Sequence, residues 1–361
     1  MKDVSMANRR LRRSLLDLPA SLWSEVLGHK TGVGYRGDQV ANWVFKHGVF
    51  SFNEMGNVPQ ELRRDLAARY TVVPPEVSAR FESVDGTRRF LLELQDGQKV
   101  ESVYMPYSDR VTLCISSQVG CRFACTFCQT GSKGLQRSLT AGEIVGQVLR
   151  LRADQGWLSR PVNVVFMGQG EPLDNTDAVI SAIKALQDSA GPGLSWRRIT
   201  VSTVGIVSAI QRLAEMGNSR PRLAVSLNAS TDEVRSEIMP INRRWSIEML
   251  LSALRDVNWR KNERVTFEYV MLSGINDTTE DARRLGNLLR GLPAKVNLIP
   301  WNSLPMLPYR RPSLKSVERF RVAARETGLD VLVRYSRGAD IAAACGQLHT
   351  SEVALPSDTL S

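Results

Sequence analysis

Four of the five cysteines of this 361-residue chain fall between positions 114 and 128, in "TLCISSQVGCRFACTFCQTG". Three form Cys121-x3-Cys125-x2-Cys128. Cys114 stands just upstream, and Cys345 lies far away in "ADIAAACGQL". Three thiolates on one short loop can converge on one metal centre. A structural zinc site usually takes four protein ligands, often as two Cys-x2-Cys pairs, and neither a histidine nor a second cysteine pair follows this triplet. A cubane iron-sulfur cluster held by three cysteines leaves one iron open to chelate a substrate. A zinc knuckle, or three merely buried thiols, is the competing reading.

A second motif is "VVFMGQGEP" (164–172), an apolar run ending in Gly168-x-Gly170-Glu171. Glycines let backbone approach a ligand closely, and Glu171 can accept from an ammonium. A tight strand-to-helix turn would look the same. Ser202 in "ITVSTVG", Ser226 and Asn228 in "AVSLNAS", and Asn302 in "LIPWN" follow further apolar runs. In parallel α/β folds ligands sit at the carboxyl ends of strands. Each polar residue taken alone reads equally well as a helix cap, but together they imply a ring of donors and acceptors around one ligand.

The elements that must position these residues are legible. From residue 111 the candidate strands "VTLCIS", "VNVVFM", "RITVST", "RLAVSLN", "RVTFEYVML", "KVNLIP" and "DVLVRYS" alternate with helical stretches such as "AGEIVGQVLRLRAD", which begins on the capping box Thr140-x-x-Glu143. This repetition predicts a parallel sheet with crossover helices, doubly wound or closed toward a barrel. Before it, residues 1–80 read as a helical domain, with Val40, Trp43 and Val44 at helical spacing. Residues 81–110 read as a β-hairpin linker turning at Asp96-Gly97. The core is expected over 111–350, and 351–361 as a tail.

With 43% hydrophobic and 23% charged residues the composition is that of a globular chain, and the net charge of +10 favours an anionic partner, nucleic acid first. No apolar run reaches the roughly 18–20 residues of a membrane span. The basic N-terminus is not followed by the apolar run and cleavage site of a secretory signal. Both points lead us to expect a cytoplasmic protein with reduced thiols, where clustered cysteines mean metal or catalysis.

The segments "TLCISSQVGCRFACTFCQTG", "MGQGEPLDN", "VSLNAS", "INRRW", "NLIPWN" and "SRGADIAAACGQL", in this order, resemble the RlmN/Cfr family of radical S-adenosylmethionine RNA methyltransferases over residues 20 to 350. The resemblance implies a partial (β/α)6 barrel with an N-terminal accessory domain that holds RNA. It implies methylation of C2 of an adenine in 23S rRNA and in tRNA, or, in the other branch, of C8 of the same rRNA adenine. Carried over by motif, Cys121, Cys125 and Cys128 hold a [4Fe-4S] cluster. Gly170, Glu171, Ser202, Ser226, Leu227, Asn228 and Asn302 contact S-adenosylmethionine. Cys345 carries a methyl group taken from one S-adenosylmethionine. A second molecule supplies the radical that activates it, so two are used per turnover. The activated carbon adds to the base, Glu101 accepts a proton, and Cys114 attacks the Cys345 sulfur to release the product. A Cys114–Cys345 disulfide is left for a thiol reductant, and an electron donor such as flavodoxin feeds the cluster. The family resemblance carries no membrane partner, and a monomer is expected.

Three departures stand out. Gln169 replaces the Met of "MGMGEP", Ala339 stands where an acid is common, and "NSLPMLPY" lacks a usual glycine. The basic groups "RRLRR" (9–13), Arg197-Arg198, Arg243-Arg244 and Arg310-Arg311 could meet RNA phosphates. The target adenine must unstack to reach the site. A non-catalytic iron-sulfur or zinc RNA-binding module is the reading from another class. It would have no use for Glu171 or Cys345.

Overall fold

The computed structural model describes residues 12–31, 35–154, 161–304 and 306–350. Part of the basic run, up to position 11, and the expected tail 351–361 lie outside the described residues. The first half of the chain runs β1 (Arg13–Ser14), α1 (Trp23–Thr31), α2 (Arg36–His47), α3 (Gln60–Arg69), β2 (Tyr70–Thr71), β3 (Glu76–Glu82), β4 (Arg88–Glu93), β5 (Lys99–Pro106), β6 (Val111–Cys114), β7 (Gln118–Gly120), α4 (Gln129–Ser132), β8 (Leu135–Ser138) and α5 (Ala141–Asp154). There follow β9 (Val162–Phe166), α6 (Thr176–Gln187), β10 (Ile199–Thr203), α7 (Val207–Ala214), β11 (Arg222–Ser226), α8 (Asp232–Ile238), α9 (Ile247–Arg255), β12 (Val265–Met271), α10 (Thr279–Leu288), β13 (Ala294–Pro300), α11 (Leu314–Glu326) and β14 (Val331–Val333).

These elements form two compact units. The first takes in the described parts of Met1–Glu76, Thr140–Ser159 and Ile180–Ser195. Its helices α1 and α2 approach closely at Gly37, where an added Cβ would stand 2.1 Å from the Ser24 backbone nitrogen. Trp23 then packs on Phe45 with ring centres 5.3 Å apart, and Val40 and Val44 are buried on the face that the helical period marks. The capping box of α5 is formed: Thr140 N donates to Glu143 Oε2 (2.9 Å) and Glu143 N to Thr140 Oγ1 (3.2 Å).

The boundary expected near residue 80 does not separate α5 from the N-terminal helices. Gly142 N donates to Asp17 Oδ1 at 2.6 Å. At Gly146 a Cβ would meet the Pro75 ring at 2.7 Å. Two glycines one turn apart flatten one side of α5 where residues 14–17 and 74–75 cross it.

The second unit is built on one ten-stranded sheet, in the order β14-β13-β12-β11-β10-β9-β6-β5-β4-β3. From β6 through β9 to β14 the neighbours are parallel. These are the seven strands read from the sequence, and they make a β/α array whose sheet ends at β14 and β3. Val164, Val201, Val225, Phe267, Val296 and Leu298 are buried in it, as parallel strands covered on both faces require. The hairpin expected as a linker is the continuation of this sheet. It turns at Asp96-Gly97, with Gly97 at φ +82° and its N–H on the Leu94 carbonyl (3.0 Å). Beyond the turn β5 pairs antiparallel with β6, Val103 opposite Cys114.

Candidate active site

The cysteine triplet sits on a loop closed at its base. β7 and β8 pair antiparallel on either side of it, and Cys121 N donates to the Gly134 carbonyl at 3.0 Å. The loop is pinned from outside by three further bonds. Thr126 N donates to the Ile238 carbonyl (3.0 Å), Trp301 Nε1 to the Phe127 carbonyl (3.1 Å), and Gln129 N to the Gly346 carbonyl (2.8 Å). The last bond, with Thr130 Oγ1 on the Leu348 carbonyl (2.7 Å), ties the cysteine loop to the segment that carries Cys345.

Cys121, Cys125 and Cys128 line one side of a cleft of about 650 Å³, counted out to its mouth, and Gly168, Gly170 and Glu171 line another. The cysteines surround space rather than a point: among the described residues no three Cys, His, Asp or Glu side chains could hold one metal ion. Neither glycine could be replaced without intrusion. A Cβ on Gly168 would stand 2.7 Å from the Ile115 carbonyl, and one on Gly170, at φ +93°, 2.5 Å from Gln118 Cβ. Three thiols, no fourth donor in the sequence beside them and an open cleft against a glycine loop fit a cluster whose remaining iron faces a small ligand. Burial raises the Cys125 thiol well above its ordinary range and pushes Cys121 to about 12; a metal centre would hold such groups as thiolates.

Glu171 is braced from both sides. Leu173 N donates to Oε1 (3.0 Å) and Val204 N to Oε2 (2.9 Å). Burial lifts its carboxyl to about 7, against the pull of the bonds from Thr203, Val204 and Leu173. With three donors already on its two oxygens, the carboxyl keeps one acceptor position for an ammonium. Ser226 and Asn228 also line the cleft. The Asn228 amide is already engaged, however: Oδ1 accepts from Val270 N (2.8 Å) and Nδ2 donates to Met239 sulfur (3.1 Å). Asn228 is left-handed, φ +59°, and its own carbonyl accepts from Asn276 Nδ2 at 2.7 Å.

Ser202, Leu227 and Asn302 do not line this cleft. Ser202 is half-buried within β10. Leu227 is buried, with its N–H on the Glu268 carbonyl at 3.1 Å. Asn302 Nδ2 donates to Ser336 Oγ (2.9 Å) and to the Cys345 carbonyl (3.1 Å). Asn302 thus holds the cysteine segment.

Cys114 and Cys345, 231 positions apart, open into a second cavity of about 520 Å³. Met167 and Leu348 line both cavities, which therefore adjoin. Cys345 is exposed to this space and Cys114 is buried in its wall. Burial pushes the Cys114 thiol up to about 12, helped by Cys345. Depth in the protein raises Cys345 as well. Arg334, on the same cavity wall, pulls both thiols down. Burial disfavours the Arg334 charge, while Cys345, Glu268, Tyr107 and Cys114 together keep it protonated.

Glu101 lines neither cavity. It is fully buried in an ion pair with Arg89, so in this conformation a neighbouring group would have to move before it met a substrate. The sequence reading missed Arg334, Arg89 and the cleft-bracing Arg235. Arg235 is buried and donates to the carbonyls of Val204 (2.7 Å), Ser226 (3.2 Å) and Leu227 (3.0 Å). A lone arginine in a strand or helix pattern gives no sign of its partners.

The basic pairs part company. Arg243-Arg244 follow α8, whose last carbonyl receives the cysteine loop at Thr126. Arg310-Arg311 adjoin Tyr309, whose hydroxyl meets Thr126 Oγ1 at 2.5 Å. Arg197-Arg198 precede β10 and so lie at the opposite, amino end of the parallel strands.

Comparison with known proteins agrees with this architecture. The family model described as "Radical SAM superfamily" matches residues 115–286. The one described as "Ribosomal RNA large subunit methyltransferase N-terminal domain" matches residues 15–72. The chain is 49% identical over 324 residues to the dual-specificity RNA methyltransferase RlmN of Paracoccus denitrificans, covering 87% of this chain and 82% of that one. It is 48% identical over 370 positions to the protein of that name from Dinoroseobacter shibae, covering 97% and 93%. A crystal structure of a radical SAM methyltransferase from Sphaerobacter thermophilus superposes with a TM-score of 0.89 at 42% identity, covering 94% of this chain and all of that one.

Proposed function

The chain belongs to the RlmN family of radical SAM RNA methyltransferases, and we propose that it methylates C2 of an adenine in 23S rRNA and in tRNA by way of a methyl group carried on Cys345. The observation that carries this reading is the adjacency of two cavities. One is walled by the three-cysteine loop and the other by Cys114 and Cys345. A non-catalytic iron-sulfur module would have no reason to bring the two remaining cysteines together there. C2 is preferred to C8 because the relatives bear the RlmN name.

On this reading Cys121, Cys125 and Cys128 hold a [4Fe-4S] cluster. Gly170, Glu171, Ser226 and Asn228 seat S-adenosylmethionine, with Ser202, Leu227 and Asn302 shaping the wall behind them. Bound there, cluster and S-adenosylmethionine supply a radical able to activate an inert C–H bond, and two molecules of S-adenosylmethionine are needed per turnover. The chain's own groups do the rest. Cys345 presents its methyl carbon to the flipped adenine; having given one hydrogen atom to that radical, the carbon bonds to C2, and the unpaired electron left on the ring would pass to a one-electron acceptor, a role the oxidised cluster could fill. Glu101 takes the proton from C2, the electron pair of that C–H bond staying with the ring. The Cys114 thiolate attacks the Cys345 sulfur, the carbon–sulfur pair goes to the methylene carbon, and a proton completes the methyl group. Arg334 favours the thiolate each cysteine must become. A thiol reductant then reopens the Cys114–Cys345 disulfide.

The N-terminal helical unit holds RNA, and Arg243-Arg244 and Arg310-Arg311 meet phosphates near the site. A flavodoxin-like donor feeds the cluster, and the enzyme works as a cytoplasmic monomer. No helix of the described residues is long and apolar enough to cross a membrane. The test is anaerobic reconstitution with a 23S rRNA fragment and, separately, with tRNA, followed by mass spectrometry to locate the methyl group. A methyl group at C2 of both RNAs is expected; one at C8, or none with a loaded cluster, overturns the reading.

A further inference from the structure

Glu101 sits where three segments meet. Arg89 of β4 pairs with its Oε1, and both side chains are fully buried. Gln169, from the glycine loop, faces Glu101 with both ends of its amide: Nε2 lies 3.4 Å from Oε2, and Oε1 accepts from Glu101 N at 3.2 Å. Thr350, beyond the Cys345 segment, donates its N–H to Oε2 at 3.0 Å. Two positions from Glu101, from Gln169 and from Thr350 stands a lining residue of the Cys114–Cys345 cavity. Val103 follows Glu101, Met167 precedes Gln169, and Leu348 precedes Thr350. The carboxylate therefore lies beside the cavity's lining residues without being one of them.

We propose that Arg89 and Gln169 are positioning residues for Glu101, and that the Thr350 amide occupies its acceptor oxygen until the C-terminal segment shifts. The inference rests on the proton-acceptor role given to Glu101 above. Arg89 fixes Oε1 and so turns Oε2 toward Gln169 and Thr350. The Gln169 amide registers that oxygen against the loop that carries Gly170 and Glu171. Thr350 is held at φ +57°, a region costly for a β-branched residue. Lys133 Nζ helps keep it there by donating to Thr350 Oγ1 (3.1 Å) and to the His349 carbonyl. Release of the Thr350 amide relieves this conformation and frees Oε2. The carboxylate can then take the C2 proton of the Cys345-linked adenine, the C–H electron pair staying in the ring. Gln169, where the resembled family has Met, makes the coupling a property of this chain.

The test compares Gln169→Met, which keeps the volume and removes both hydrogen bonds, with Arg89→Lys, which keeps the charge. In cluster-free protein the Thr350 amide of Gln169→Met should exchange with deuterium at least five-fold faster than in wild type, at an unchanged melting temperature. In loaded enzyme with an rRNA fragment, Cys345 methylation should stay within two-fold of wild type. The covalent RNA–Cys345 adduct should persist at least five-fold longer. Arg89→Lys should restrain both effects relative to Arg89→Met. Wild-type exchange and wild-type adduct decay in Gln169→Met overturn the proposal, as does a parallel fall in cluster content, methylation and melting temperature. A wild-type protein that never methylates Cys345 or RNA marks instead the failure of the functional reading, and the exchange result in cluster-free protein still judges the Glu101–Gln169–Thr350 connection.

Discussion

The side-chain amide of Asn302 donates to the backbone carbonyl of Cys345 at 3.1 Å. A residue expected to touch S-adenosylmethionine thus grips the segment that presents Cys345, the cysteine proposed above to carry the methyl group. Asn302→Ala removes this bond and the one to Ser336, each contributing about 1 kcal/mol in such settings. The cluster chromophore should form normally, while the fraction of protein with methylated Cys345 falls several-fold. Mass analysis of the C-terminal peptide, beside the absorbance of the reconstituted protein, reads both. A variant with reduced cluster content and normal Cys345 methylation would place Asn302 at the cofactor instead.

Gly170 is a second sharp point. At φ +93°, with Gln118 Cβ 2.5 Å from any added methyl group, it admits no side chain without moving the loop. Left-handed backbone and steric overlap both act against alanine. Gly170→Ala should weaken S-adenosylmethionine binding at least ten-fold, measured by equilibrium dialysis on cluster-loaded protein. Unfolding of the apoprotein should shift by no more than about 2 kcal/mol. Unchanged dialysis would mean that the loop does not contact the ligand.

Much of this arrangement is local and could be read from the chain. The strands announce themselves as apolar runs, the Thr140–Glu143 box by its spacing, and the hairpin by Asp96-Gly97. What could not be read is pairing at a distance. Nothing in "RRFLLELQDGQKVESVYMP" says that β5 will go on to pair with β6 rather than stand apart. Nor does "AGEIVGQVLRLRAD" say that Gly142 and Gly146 will seat α5 against residues 14–17 and 74–75. The polar strand ends carry the same ambiguity. Asn228 and Asn302 were legible as polar groups near a ligand, and Glu101 only as what the family resemblance implies, but a hydrogen-bonding side chain can serve the ligand or brace the wall. Here Val270, Cys345 and Arg89 claim them.

The segment before Cys345 is also tethered, and this tether responds to acid. Asp85, in the turn between β3 and β4, accepts from Thr87 N (2.8 Å), Gly338 N (3.2 Å) and Arg337 Nε (3.2 Å). Burial alone would raise its pKa, but the bonds from Thr87, Arg337 and Gly338 outweigh it and hold the carboxyl at about 2. A folded-state value below the unfolded one stabilises the fold above about pH 4 and ceases to do so as pH falls toward 2. Asp85 is partly exposed, so screening limits its contribution to about 1 kcal/mol. Asp85→Asn should therefore cost about that much at pH 7, and progressively less between pH 4 and pH 2.5, in urea titrations of cluster-free protein. A gap that stays constant with pH would assign the loss to packing.

The five cysteines divide into two groups by position, and their substitution should divide the same way. Cys121, Cys125 and Cys128 line one cavity, Cys114 and Cys345 the other. Alanine at any of the first three should abolish the brown chromophore; alanine at Cys114 or Cys345 should leave it. The latter two then separate from each other. Cys345→Ala has no sulfur to carry a methyl group and should neither hold protein-bound methyl nor transfer any to RNA. Cys114→Ala keeps the carrier and lacks the thiolate that attacks it, so it should bridge Cys345 to the adenine and stop. Protein purified from cells should carry covalently attached RNA, seen as a retarded band in a denaturing gel and removed by nuclease. Arg334 faces both thiols, so Arg334→Met, which withdraws its positive charge, should slow both half-reactions rather than one. A Cys114→Ala protein free of RNA and fully active would remove Cys114 from the mechanism. The same adduct on Cys345→Ala would show that the bridge forms elsewhere, although Cys345 is the exposed thiol of that cavity.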